Sequence, residues 1–402
     1  MAFSTAISGI NAAQSDLNVI SNNIANSSTV GFKVSRAQFA EIYANSLLGS
    51  GAGNAGQGVE LTEIRTEFSQ GNIEFTNNGL DLAISGNGFF VISNEGAAEY
   101  SRAGSFRVNR EGFVTNESGG RLQGYQVSQA GDITGELGDL FIDTTLINPQ
   151  STSDVSLISN LDSREVPPTA AFDPTDPATY NSTTSTTVYD ELGNSHVLQL
   201  YYVKTASNNW NIYSTVDGGS QAGPSAVTFN SDGSINTGGT VSITVASADL
   251  GTGAGDLTFD VDSTATTQFG TDFAVSSIVQ DGFGAGQLIS FDFDESGIAF
   301  ARYTNGQSRA IGQVALANFR NNNGLQPIGN TNYVETFSSG SANVGEPGTA
   351  GRGVIQASAV EQANVEITQE LVNLIIAQRN FQANAQVIST EDQVTQSVIN
   401  LR

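Results

Sequence analysis

The 402-residue chain contains no cysteine and a single histidine, His196. Without thiols there is no disulfide framework, no thiolate metal site and no cysteine nucleophile, and one imidazole leaves almost nothing for histidine-dependent catalysis. Bases are scarce as well. Fifteen Lys and Arg against forty Asp and Glu give a formal charge of -25, a sign that repels phosphate and argues against nucleic acid or anionic lipid as a partner. No run approaches the roughly 18 consecutive apolar residues of a membrane-spanning helix. The opening Met1-Ala2-Phe3-Ser4-Thr5-Ala6 also lacks the basic and then apolar character of a cleaved secretory leader. Charged residues of both signs make up only 14% of the chain, where about a quarter is usual, and Ser, Thr, Asn, Gln and Gly fill the gap. An apolar content of 38% is still ample for cores, and the length calls for more than one domain.

What the chain does have lies first at its ends. Over residues 1–30, Phe3, Ile7, Ile10, Leu17 and Ile24 follow a 3-4 spacing, with Gln14 and Ser21 in the intervening seam positions and Ala6, Ala13 and Ile20 alongside. This predicts an amphipathic helix. Its other face carries one charge, Asp16, where a solvated helix would carry Lys and Glu. From about residue 365 the pattern returns, with Ile367, Leu371, Leu374, Phe381, Ala385 and Ile388 on one seam, continued one position over by Val387, Val394, Val398 and Leu401. An uncharged face suits burial against another protein surface better than exposure to water, and periodicity leaves two readings open: helices that pack on copies of themselves, or a helical hairpin that caps a β domain.

Between the ends the period falls to two. Leu288–Phe293 and Ile298–Tyr303 flank the turn Asp294-Glu295-Ser296-Gly297, Phe106–Val108 and Phe113–Val114 flank another, and Thr186–Tyr189, His196–Val203 and Trp210–Val216 form a third set. No helix is expected over about 80–355. The run holding Pro167, Pro168, Pro174 and Pro177 reads as an internal boundary, and Gly49 to Gly58 (GSGAGNAGQG) as a flexible joint.

The candidates for chemistry are weak. Gly49 to Gly58 is followed by no Gly-Lys-Ser/Thr, and Asp292 to Gly297 opens like a calcium loop whose twelfth position is Tyr303 instead of Glu. His196 begins a strand with no second ligand in view, and reads as structural. Asp249, Asp256, Asp260, Asp262, Asp272, Asp281, Asp292, Asp294 and Glu295 read as a solvated acidic face. No catalytic residue, cofactor or metal site is expected. A secreted β-rich adhesin or glycan-active enzyme with helical ends remains the rival from another class.

Leu17 to Lys33 (LNVISNNIANSSTVGFK), with Asn22, Asn23, Ala25, Asn26, Thr29, Gly31 and Phe32, resembles the N-terminal signature of the bacterial flagellar rod and hook proteins. Glu370 to Gln386 (ELVNLIIAQRNFQANAQ), with Gln378, Arg379, Asn380, Gln382 and Asn384, resembles their C-terminal signature, and Gly79–Ile92 and Tyr100–Tyr125 resemble their β core. Two positions depart from the pattern. Ala357-Ser358-Ala359-Val360-Glu361 stands where Gly-Ala-Leu-Glu is usual, and Phe381 where tyrosine is common. Chain length and the Leu401-Arg402 ending point to the hook subunit, with the distal rod and the hook-filament junction subunits as alternatives.

The resemblance implies an α+β, multi-domain, non-enzymatic chain. Its terminal helices, 1–30 and 365–402, would pair as a coiled-coil-like inner layer lining a channel. Segments 31–70 and 356–364 would connect them to an inner, discontinuous β domain of 71–145 and 285–355, into which an outer domain of 146–284 is inserted. Both β domains should be mainly antiparallel. The implied function is a helical homopolymer that bends as a universal joint and passes torque from rod to filament. It also implies export through the flagellar secretion channel without a cleaved signal, and contacts with a hook-capping protein, the distal rod protein and the hook-filament junction protein.

Overall fold

The structure, a computed structural model, describes residues 2–42, 57–128, 131–219 and 221–400. Of the stretch from Gly49 to Gly58 only Gln57 and Gly58 fall within these residues, and Leu401 lies outside them. The chain divides into two compact units, one made of Met1–Asp143, Ser290–Arg302 and Ser308–Arg402, the other of Thr144–Ile289 and Tyr303–Gln307.

In the first unit the two terminal helices pair. α1 spans Ala2–Ala25 and α3 spans Ile367–Asn400, while α2 is a single turn, Ser247–Leu250, in the other unit. α1 is rich in Ala and Ile and stops where Asn22, Asn26 and Thr29 bond back onto the chain. Two contacts fix how the helices lie. Asn23 Nδ2 donates to Glu370 Oε2 at 3.2 Å, and a Cβ on Gly9 would sit 2.7 Å from Asn384 Oδ1. Moving 14 residues back along α1 thus moves 14 residues forward along α3, so the pair is antiparallel. The same register sets Ala2 opposite Glu391, and residues 392–400 run on past the end of α1.

Behind the helices, Ser35–Glu41 and Val59–Thr66 form an antiparallel ribbon whose edge meets α1 where Val59 N donates to Ser8 Oγ. The main sheet runs in the order Leu288–Phe293, Ile298–Tyr303, Ser308–Val314, Arg121–Val127, Phe89–Asn94, Ala97–Ser101, Asn332–Val334, Gln326–Gly329. Its core is aromatic: Phe89, Tyr100, Phe319 and Tyr333 meet edge to face with Phe68, the closest ring centroids 4.7 Å apart. Two short ladders, Leu82–Ser85 with Val354–Ala357 and Ile73–Phe75 with Ala359–Glu361, tie the chain leading into α3 to the chain leaving α1. Ser358, between those ladders, takes the left-handed φ of 53° that glycine adopts without a Cβ penalty, which is where the sequence departs from Gly-Ala-Leu-Glu.

The second unit is a sandwich of two five-stranded sheets. Thr240–Val245 buries Val241, Ile243 and Val245, and Leu257–Asp262 buries Leu257, Phe259 and Val261, the period-two pattern of strands with one wet face. Facing them, Leu198, Leu200, Tyr202, Trp210 and Ile212 complete one core, with Trp210 Nε1 donating to Gln268 Oε1 at 3.0 Å. The sheets are mainly antiparallel, but Asp154–Asp162 pairs in parallel with both Leu257–Asp262 and Thr267–Phe269. The proline-rich run is not a boundary. It lies inside this unit as a strap, with Phe172 stacked on Tyr213 at 4.1 Å and edge-on to Tyr201, so its apolar residues belong to the sheet they cover.

Candidate functional site

The candidate site is the helix pair and its root. The seam that closes within one chain differs in half its positions from the one expected. On α1 the least exposed turns carry Ala6, Ile10, Ala13, Leu17, Ile20 and Ile24, and on α3 Glu370, Leu374, Ala377, Phe381, Asn384 and Ile388, again at 3-4 spacing. Phe3 and Ile7, expected in that seam, are exposed, as are Ile367, Leu371, Gln14, Ser21 and Ala385. The reason is size. Gly9, Ala6, Ala13 and Ala377 let the backbones approach closely, and bulkier side chains at those positions would hold them apart.

The displaced apolar residues form an open stripe. Ile367, Leu371, Val372, Ile375 and Ile376 each leave about half of their surface to solvent, and Val387, Val394 and Ile399 do the same further along. Four of them, at 371, 372, 375 and 376, share one face of two successive turns. Gln378, Arg379, Asn380 and Gln382 are exposed as well, whereas Asn384 is half-buried against Gly9. Asp16, the one acid of α1, has its carboxyl pushed up by burial and by the charge of Glu370, so at neutral pH its ionised form opposes the pairing.

At the root of the pair the N-terminal signature becomes legible as geometry. Asn23 is buried, bridging Ser35 in both directions (Nδ2 to O 2.8 Å, Oδ1 from N 3.0 Å) while also reaching Glu370. Asn26 Nδ2 donates to Asn22 O and Thr29 Oγ1 donates to Asn26 Oδ1, closing the turn after α1, where Ala25 is exposed and Phe32 half-buried. Gly31 has a φ of 71°, and its N donates to Glu361 O at 2.7 Å. A Cβ there would lie 2.3 Å from Ala103 N, so this approach admits no side chain.

Around Glu361 lies an ionic cluster that sequence reading missed. Lys33 Nζ donates to its Oε1 at 2.6 Å and Arg102 Nη1 to its Oε2 at 3.2 Å, and all three side chains are almost wholly buried. Gly71 N also bonds Oε1, while Lys33 reaches Ser69 O and Arg102 reaches Gly86 O. Burial pushes both bases down, and the carboxylate between them opposes that. One acid thereby joins the segment leaving α1, the β core and the segment entering α3. Asn364 adds a second clasp, accepting from Val34 N and donating to Glu67 O. Only the scarcity of bases could have flagged Lys33 and Arg102, since their common partner lies hundreds of residues away.

His196, the other singled-out residue, is buried in the sandwich with Nδ1 2.7 Å from Asp217 Oδ2 and Nε2 3.4 Å from Asp190 Oδ2. Burial alone would lower its pKa, but the bonds and charges of the two carboxylates outweigh it and raise it. No group of three or more His, Cys, Asp or Glu is placed to hold a metal ion among the described residues, and no described helix is long and apolar enough to cross a membrane.

Four segments match known families: residues 3–33 the flagella basal body rod protein family, 83–157 the flagellar hook protein FlgE/F/G D1 domain, 160–283 the flagellar basal body protein FlaE D2 domain, and 356–401 the flagellar basal body rod FlgEFG protein C-terminal family. The chain is 38% identical to the flagellar hook protein FlgE of Salmonella typhimurium and 37% identical to that of Escherichia coli, in both cases over the whole of each chain. The FlgE of Treponema pallidum is 30% identical over 99% of this chain and 98% of its own. Among solved structures, the Helicobacter pylori flagellar hook protein FlgE2 shares the fold with a TM-score of 0.55 at 13% identity, covering 72% of this chain and 100% of the other.

Proposed function

The chain belongs to the flagellar hook protein family and is a structural subunit of the hook, and from that premise we propose how it assembles. The α1–α3 pair, coiled-coil-like, is the polymerisation element, and its copies pack side by side as the inner layer of a tube. The observation that carries this reading is the open stripe of Ile367, Leu371, Val372, Ile375 and Ile376 on a helix that has no charged residue between Glu370 and Arg379. Apolar area of that kind gains about 25 cal/mol for each Å² removed from water, and a neighbouring copy supplies the cover. The exposed seam residues Phe3 and Ile7 fall into the same role, and Ile10, Leu17, Ile24, Leu374, Phe381 and Ile388 hold the pair itself together.

In this reading the two β units stand outside the helices, the sandwich as the outer domain, and their uncharged Ser, Thr and Asn surfaces slide past those of neighbours as the tube bends. Polar contacts of this kind exchange partners, often through water, at small cost, so the tube can bend while it transmits torque. The subunit is exported through the flagellar channel, and the assembled hook meets a capping protein, the distal rod and the junction protein.

Ile376→Asp tests it. Ile376 lies outside the intrachain seam, so the variant should melt as the parent does yet form no tubes by electron microscopy at concentrations where the parent forms them. Normal tubes from this variant would remove the stripe from the assembly surface.

A further inference from the structure

Asparagine is followed by glycine at four places among the described residues: Asn78-Gly79, Asn87-Gly88, Asn305-Gly306 and Asn323-Gly324. Such a pair carries latent chemistry. The backbone nitrogen of the second residue can attack the side-chain amide carbon of the first, and glycine, with no Cβ, leaves that nitrogen unhindered and the backbone free to turn. The fold decides where this happens, because hydrogen bonds that hold the amide or the nitrogen must break first.

Three of the four pairs are held. Asn78 Nδ2 donates to Asp81 Oδ1 at 3.0 Å, and its Oδ1 accepts from Leu80 N at 3.2 Å. Asn305 Nδ2 donates to Gly284 O at 2.8 Å, its Oδ1 accepts from Gln307 N, and Gly306 N donates to Tyr303 O at 3.0 Å. Gly324 N donates to Asn321 O at 3.1 Å within a short 3-10 turn.

Asn87 is different. Among the described residues its exposed side chain bonds to nothing, and Gly88 N, though Gly88 is buried, donates to no backbone group. A buried N–H without a partner is uncommon and costly, and closing a ring on that nitrogen removes the N–H instead of breaking a bond. Gly86 and Gly88 flank Asn87 with φ of 111° and 126°, so the neighbours on both sides are the residue type that resists backbone rotation least.

We propose that Asn87 is a self-modifying position, whose side-chain amide is lost as ammonia through a cyclic imide closed with Gly88. Gly88 N bonds to Asn87 Cγ, the Cγ–Nδ2 bond breaks, and Nδ2 leaves as ammonia with the proton that Gly88 N gives up. Water then opens the ring at one of its two carbonyls. Opening at Cγ leaves aspartate. Opening at the main-chain carbonyl leaves isoaspartate, in which the chain runs through Cγ and is one methylene longer. Only solvent is consumed.

The position matters for what it joins. Asn87 O accepts from Gly353 N at 2.6 Å, at the end of the ladder between Leu82–Ser85 and Val354–Ala357, and Gly86 O accepts from Arg102 Nη2 at 2.9 Å. Either product adds a negative charge here, and isoaspartate also displaces the carbonyl that Gly353 N meets. A chain that ages in this way loosens the segment entering α3, next to the Lys33–Glu361–Arg102 cluster. The inference rests on this turn alone and is independent of how the chain assembles.

The test is to age the folded full-length chain in warm, mildly alkaline buffer, digest it with pepsin in acid, where the imide forms slowly, and locate each converted residue in fragment mass spectra. Conversion at Asn87 should run about tenfold or more faster than at Asn78, Asn305 or Asn323, the rate equivalent of the one or two hydrogen bonds those sites must give up. In urea the four rates should converge. The melting transition of the first unit should fall as isoaspartate accumulates. Asn87→Gln, whose longer side chain closes its ring far more slowly, should show neither the product nor that fall. Asn87 left intact in the aged protein, or converted no faster than the other three, overturns the proposal.

Discussion

The sandwich and the helix pair finish their cores differently. In the sandwich Trp210, Tyr202, Leu198, Phe259 and Val261 are closed off on both sides by the chain's own sheets. In the helix pair the closest approach is made at glycine and alanine, and large apolar side chains such as Phe3, Ile7, Leu371 and Ile376 are left on the flanks. The first region closes its core within one chain, whereas the second leaves Ile367, Leu371, Val372, Ile375 and Ile376 about half exposed. In the assembly proposed above, the burial that one chain leaves incomplete falls to other copies.

The contrast can be broken most forcefully at the root of the helices. Glu361→Gln leaves Lys33 and Arg102 as buried cations without their common acid, a loss on the order of 3–5 kcal/mol. The melting transition of the first unit should fall sharply in calorimetry while the sandwich transition stays in place. If both move together, the two regions are energetically one. On the sandwich side, His196→Ala strips Asp190 and Asp217 of their shared partner and should cost about 2–3 kcal/mol there, without moving the first unit's transition.

The same histidine makes the sandwich respond to pH. Its pKa is raised in the folded chain, so its contribution is complete below the unfolded value of about 6.5 and fades as pH rises through the folded value. Asp190 and Asp217, both held low by their hydrogen bonds and by the imidazole against the opposing effect of burial, contribute from neutral pH down into the acid range, until they protonate. A sandwich transition that does not fall between pH 6 and pH 9, or one that falls equally in His196→Gln, contradicts this. The smallest effect has the opposite sign. Ser358→Gly relieves a left-handed φ between the two short ladders and should raise the first unit's stability by about 1 kcal/mol, read from its denaturation midpoint.

Local pattern made much of this visible in advance. The strands Leu288–Phe293 and Ile298–Tyr303 lie where alternation and turn residues put them, and both helices fall within a few residues of their expected ends. Three things were not legible. Periodicity weighs large apolar residues, so it chose Phe3, Ile7, Ile367 and Leu371 for the intrachain seam, whereas the contact forms where Gly9, Ala13 and Ala377 are small. The Lys33–Glu361–Arg102 cluster joins three segments distant in sequence, and no local pattern encodes that meeting. The prolines at 167, 168, 174 and 177 suggested a break, but the neighbouring Phe172 fastens their strap to Tyr201 and Tyr213.

One last property follows from the unequal lengths of the helices. Residues 392–400 extend about 13 Å beyond the start of α1, at 1.5 Å for each residue of helix. Among the described residues, the helix pair therefore has a single-helix tip at one of its ends and a two-helix shoulder at the other. Stacked in register, such bodies present unlike faces fore and aft, so a growing column has a built-in arrow and a newcomer can seat itself one way round only.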